Sequence, residues 1–85
     1  MNQAILFPDR EEWDDANQSL CFPALVNGFQ VTCALSAEAL AHRFGGDAPE
    51  FWVESFRLHR WDLEDEAEQA IRNQKEDDQG WIWLS

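Results

Sequence analysis

Between residues 19 and 35 the apolar positions recur with a period of two, and the pattern is mirrored about Asn27-Gly28. Asn-Gly is the preferred pair for a two-residue type I′ hairpin loop, because both loop residues need positive φ. That loop pairs Val26 with Phe29, Ala24 with Val31, Phe22 with Cys33 and Leu20 with Leu35. All of these side chains are apolar, and all fall on one face. The opposite face, with Ser19, Cys21, Pro23, Leu25, Gln30, Thr32 and Ala34, is mixed. A slip of one residue would turn the apolar set outward, so the register is strongly specified. Pro23 falls in a pair that exchanges no hydrogen bonds across the hairpin, so its missing N–H faces the outer side of strand 19–26. The strand is therefore expected to be an edge, or bulged, near Pro23. A further strand is more easily added beside 29–35. The same register sends Cys21 and Cys33 to opposite faces, where no disulfide forms between them.

After residue 35 the period lengthens. Ser36 is suited to cap a helix, and Ala37, Leu40, Ala41 and Phe44 follow at i, i+3, i+4 and i+7. Gly45-Gly46 stops this helix over 36–44, with Gly45 suited to the left-handed position beyond its end. Asp47 is expected to cap the next helix, with Pro49 in its first turn and Glu50 at the capping-box position. Residues 48–75 read as helical, with Trp52, Phe56, His59, Leu63, Ala67, Ala70 and Ile71 on one stripe. A single helix here would span roughly 40 Å, long for so short a chain. Asp62 and Asp65 offer a fresh start after Trp61, so one helix and two helices broken near residue 61 both fit. Residues 76–80 form a polar turn. Residues 81–84 are β-prone, with Trp81 and Trp83 on one face and Ile82 and Leu84 on the other. Residues 4–7 are a second candidate terminal strand, and residues 9–15 read as an acidic connector carrying Trp13. These elements predict an α+β fold. A small antiparallel sheet is built on the central hairpin, with two or three helices packed on one face, in a single domain over 1–85.

Composition narrows the partners. The chain has 85 residues, 45% of them apolar, which suits a folded domain rather than a disordered one. Seventeen acidic residues face six basic ones, for a formal net charge of −11. The bases (Arg10, Arg43, Arg57, Arg60, Arg72 and Lys75) are spread singly. Such a field repels phosphates, so neither nucleic acid nor an anionic membrane surface is an expected partner. A basic protein partner suits the charge, as does simple solubility. The N-terminal apolar run is short and has no basic leader, and no stretch approaches the ~18 residues of a membrane span. A cytoplasmic location is expected. Composition sets no oligomeric state, and a weak dimer is compatible with it.

Few constellations carry chemistry. Cys21, Cys33, His42 and His59 are widely spaced, whereas structural zinc sites bring ligands two to five residues apart. The acid-rich stretch from Asp9 lacks the glycine and the final carboxylate of a calcium loop, since Leu20 falls at its twelfth position. No glycine-rich nucleophile turn accompanies either cysteine, and Gly45-Gly46 lacks the lysine of a phosphate loop. No metal, cofactor or catalytic residue is indicated. His59 and Arg60 have two readings, as site residues at a helix break or as a boundary histidine and an ion-paired arginine. The second is the commoner. Five tryptophans in so short a chain point to a core anchor, a contact surface, or both. Trp52 lies on the core stripe and Trp61 off it. Trp81 and Trp83 make a contact patch if exposed; a small core's need for aromatic mass favours their burial. The candidate binding residues are therefore His59, Arg60, Trp61, Trp81 and Trp83. The leading functional reading is a non-enzymatic acidic accessory or protein-interaction module. The alternatives are an acidic nucleic-acid mimic that occupies a basic protein, or a small ligand-binding protein or enzyme using His59 and Arg60.

Three segments also carry a family resemblance. They are Phe7-Pro8, the run from Phe22 to Gly28 followed by Cys33 and by residues 35–40, and the helix with Phe56, Arg60 and Ala67. In these the chain resembles a small bacterial family known only as domain of unknown function 1488. The resemblance covers most of the chain and implies a small α+β domain. It implies no activity, and it marks Phe56 and Arg60 for structural or contact roles.

Overall fold

Asn27 and Gly28 both adopt positive φ, at 52° and 87°, and the chain reverses there. The computed structural model describes residues 4–85; Met1 to Gln3, part of the segment read as lacking a basic leader, lie outside the described residues. The elements are β1 (Ile5–Leu6), β2 (Glu12–Asp14), β3 (Ser19–Val26), β4 (Phe29–Ser36), α1 (Ala37–Phe44), α2 (Pro49–Leu58), α3 (Arg60–Arg72) and β5 (Ile82–Leu84). β3 and β4 pair in the expected register, from Val26 opposite Phe29 to Leu20 opposite Leu35. Phe22 and Cys33 face the helices, while Cys21 lies on the other side, opposite Ala34. Both thiols are free and buried. Burial pushes the Cys33 thiol up to about 12 and raises that of Cys21.

The rest of the sheet assembles around this hairpin in the order β1-β3-β4-β5, with β2 also paired to β3. β1 pairs with Leu25 and Val26, and β2 with Ser19, Leu20 and Cys21. Pro23 sits in the gap between them, so the missing N–H falls where no strand adds. Two expectations are corrected here. Residues 9–15 are not merely a connector, because Glu12–Asp14 forms β2 and directs Trp13 into the core, against the Trp52 ring at 5.6 Å. The sheet is also mixed rather than antiparallel. β5 does add beside β4, but parallel to it, with Cys33 opposite Ile82 and Leu35 opposite Leu84. The helical connection over 37–72 carries the chain back across one face before β5 begins, as a parallel pair requires.

α1 starts where Ser36 Oγ accepts the Ala39 N–H at 3.1 Å. Its end runs into Gly45 and Gly46, with φ of 76° and 84°. Gly45 has ψ of −165°, so it is not in the left-handed helical region but in one open essentially to glycine alone. Asp47 does not cap α2. The cap position is Ala48, without a side-chain hydrogen bond, because Pro49 takes the first helical position, where its fixed φ and missing N–H cost nothing. The 48–75 segment is two helices, and the break lies at His59, not near 61. The His59 N–H closes α2 onto Ser55 and Phe56, and its carbonyl accepts the Leu63 N–H of α3. The core joins Leu20, Phe22, Ala24, Cys33 and Leu35 of the hairpin to Leu40, Trp52, Phe56, Leu63, Ala67, Ile71, Ile82 and Leu84. Burial falls away toward the loop, where Phe29 is 78% exposed.

Candidate functional site

The turn from α2 to α3 brings His59, Arg60 and Trp61 together and points them in different directions. His59 lays its ring on Phe44 of α1, centroids 4.8 Å apart and planes at 18°. Arg60 turns inward. Its guanidinium lies over the Phe56 ring at 4.8 Å and donates to Glu11, with Asp9 and Glu64 each at 3.5 Å. Glu11 also accepts from Arg57 Nε at 3.1 Å. The side chains of Arg60 and Glu11 are only 14% and 12% exposed, so this pair fastens the β1–β2 segment to the helix break. His59 and Arg60 are thus the structural members of the trio.

Trp61 turns outward and is 85% exposed. Leu58, the last residue of α2, is 74% exposed. A hollow lined by Arg57 to Asp62 runs over both. Trp61 also borders an open groove lined by Phe7, Asp62, Glu64, Asp65 and Glu68. Phe7 anchors the groove floor by packing on Phe22, centroids 6.3 Å apart. Leu58 and Phe7 were not among the candidate binding residues read from the sequence. For Leu58 a signal existed: it is an apolar residue off the helical stripe, three positions before an off-stripe tryptophan.

Trp81 and Trp83 belong elsewhere. They stand at the β5 edge of the sheet, on the face away from the helices, since Ile82 and Leu84 between and after them are buried. Their rings stack at 5.5 Å. The expected burial is corrected: Trp81 is half-buried and Trp83 is 44% exposed, because no helix covers that face. The pair is pinned locally. Asp77 accepts the backbone N–H groups of Gln79 and Trp81 and the Trp83 indole N–H, each at 2.9 Å. These bonds, the Trp81 backbone N–H foremost, hold the Asp77 carboxyl below the usual carboxylate range. Opposite this strand end, Arg43 grips Glu66 with two bonds of 2.8 and 2.6 Å and donates to the Ser85 carbonyl at 2.8 Å. The Arg43 bond lowers the Glu66 carboxyl likewise.

Among the described residues, no three His, Cys, Asp or Glu side chains are grouped to hold a metal ion, and no helix is long and apolar enough to cross a membrane. Cys33 and Cys21 are sealed in or against the sheet, and neither histidine reaches them in any hydrogen bond of the described residues.

Comparison with known proteins gives the lineage. The chain is 69% identical over 84 residues to the Escherichia coli (strain K12) "Uncharacterized protein YrdB", covering 99% of each. It is 68% identical to its namesake from Shigella flexneri, with the same coverage. It superimposes on the crystal structure of a protein of unknown function from Shewanella loihica PV-4, a member of the DUF1488 family. The TM-score is 0.90 at 29% identity, covering 99% of this chain and 94% of that one. A family model described as "Protein of unknown function (DUF1488)" matches residues 5–84, and the chain belongs to that family.

Proposed function

We propose that this protein is a non-enzymatic, cytoplasmic interaction module that meets a protein partner through the α2–α3 corner, with Trp61 and Leu58 as the contact centre. The observation that carries the reading is the pair of exposures, 85% and 74%, on residues that flank the α2–α3 break, in a chain whose other helical apolar residues mostly pack inward. An indole so exposed adds nothing to the core and is available to a partner, where tryptophan contributes disproportionately to binding. Arg60 and Glu11 support the corner by locking its backbone, which lowers the cost of ordering it on association.

The geometry favours the alternatives less. A nucleic-acid mimic has no use for an apolar projection at its contact surface. A His59/Arg60 site would need a guanidinium free to meet a ligand, and that of Arg60 already faces three carboxylates and an aromatic ring.

The test is comparative capture. The tagged chain and its Leu58→Ala/Trp61→Ala variant are used to isolate partners from the bacterial host, with Trp83→Phe as a surface control. The proposal expects a partner retained by the parent and the control and lost by the double variant. Identical partner sets for all three, with the double variant folded by circular dichroism, would overturn it.

A further inference from the structure

Trp61 has two flanks, and they differ in charge. On the Phe7 side its ring borders the groove with Asp62, Glu64, Asp65 and Glu68. Two of these carboxylates already have cationic neighbours: Glu64 meets Arg60 at 3.5 Å, and Glu68 meets Arg72 at 3.1 Å. Asp62 and Asp65 form no ion pair among the described residues. Asp62 lies in the field of Arg43, whose charge it helps hold, but makes no contact with it. The groove therefore presents an exposed indole face, an apolar floor and an excess of negative charge. Leu58 adds an aliphatic contact point in the neighbouring hollow that Trp61 also lines, where Arg57 and Arg60 are both engaged by Glu11.

We infer that the occupant of this corner is a basic segment of another protein, one that places an arginine or lysine against Trp61 beside Asp62 and Asp65 and an aliphatic side chain on Leu58. The inference rests on the interaction reading above and deepens it by naming the partner's chemistry. An ammonium or guanidinium group is drawn to an indole face, and nearby unpaired carboxylates strengthen and orient that attraction. Long-range charge works in the same direction, since a chain of net charge −11 steers cationic partners toward it. It also argues against a second copy as occupant, because two such chains repel and this groove is acidic in both.

The experiment uses the full chain, nitrogen-labelled, and a short capped peptide alternating arginine with leucine. Counterparts carry glutamine or glutamate in place of arginine. Two-dimensional NMR reads the indole and amide signals, with the Trp61 indole identified by its absence from Trp61→Phe. The arginine peptide is expected to move the Trp61 indole and the amides of Leu58, Asp62 and Asp65 saturably, while the buried Trp52 indole stays in place. Asp62→Asn/Asp65→Asn should weaken binding about tenfold. Glu38→Gln/Glu50→Gln removes the same charge outside the groove and should weaken it far less. Equal binding of the glutamine peptide, or equal weakening by both double variants, would overturn the inference. The corner would then dock partners without selecting cations, and the interaction reading would stand. Arginine-peptide shifts confined to other surfaces, or absent, would overturn it as well, and the capture test would decide the broader reading by itself.

Discussion

Trp52 and Trp61 sit in consecutive helices and have opposite fates. Trp52 is 7% exposed; its indole N–H donates to the Gly45 carbonyl at 2.9 Å and its ring packs on Trp13. Trp61 is 85% exposed, and among the described residues its indole N–H has no protein acceptor. The residue type is the same, so the difference lies in helical phase. Trp52 shares the stripe of Phe56, whereas the break at His59 restarts the helix with Trp61 on the side away from Leu63 and Ala67. One tryptophan organises the interior and the other is left to solvent.

The comparison breaks most visibly through Trp52→Ala. Removing that ring empties a core site and is expected to cost ~3–5 kcal/mol, a large share of the stability of a small domain. Urea denaturation followed by circular dichroism measures it, and a near-native midpoint would mean that Trp52 does not anchor the core. Glu11→Ala probes the support beneath Trp61. It leaves the Arg60 guanidinium largely buried with only the 3.5 Å contacts to Asp9 and Glu64. A loss of about 1–3 kcal/mol is expected in the same assay. Acid acts more gently, through the Arg43–Glu66 pair. Glu66 has a depressed carboxyl in the fold, so its stabilisation is complete above its ordinary value of 4.5 and is lost as pH falls below it. The melting temperature of the parent should therefore fall further than that of Glu66→Gln between about pH 5 and pH 3. Trp61→Ala should change stability by less than ~0.5 kcal/mol. A larger loss would show that the indole supports the fold, and the contrast with Trp52 would collapse.

How far the sequence discloses this structure depends on how local the cause is. The hairpin is legible down to the residue, because the Asn27-Gly28 turn and the two-residue period act within one segment. The Ser36 cap is legible for the same reason. β2 is not: Glu12, Trp13 and Asp14 are too few and too charged to show a period, and only the Cys21–Ser19 edge and the Trp52 ring make them a strand. The direction of β5 depends on how three helices cross the sheet, which no short window of sequence contains. The candidate site is half legible. The off-stripe position of Trp61 announces its exposure. The stacking of His59 and the inward turn of Arg60 depend on Phe44 and Glu11, residues distant along the chain.

The parallel seat of β5 has a kinetic consequence. Cys33 meets Ile82 only after the intervening helices have been laid down, so the pairing closes a very long loop and belongs to the late, slow part of folding. On the ribosome, the β3–β4 hairpin emerges well before Ile82 and Leu84 do. Until those two arrive, the nascent chain carries a β4 margin with open N–H and C=O groups over an unfinished apolar floor. That interval, rather than the mature fold, is when this polypeptide is most exposed to wrongful strand pairing.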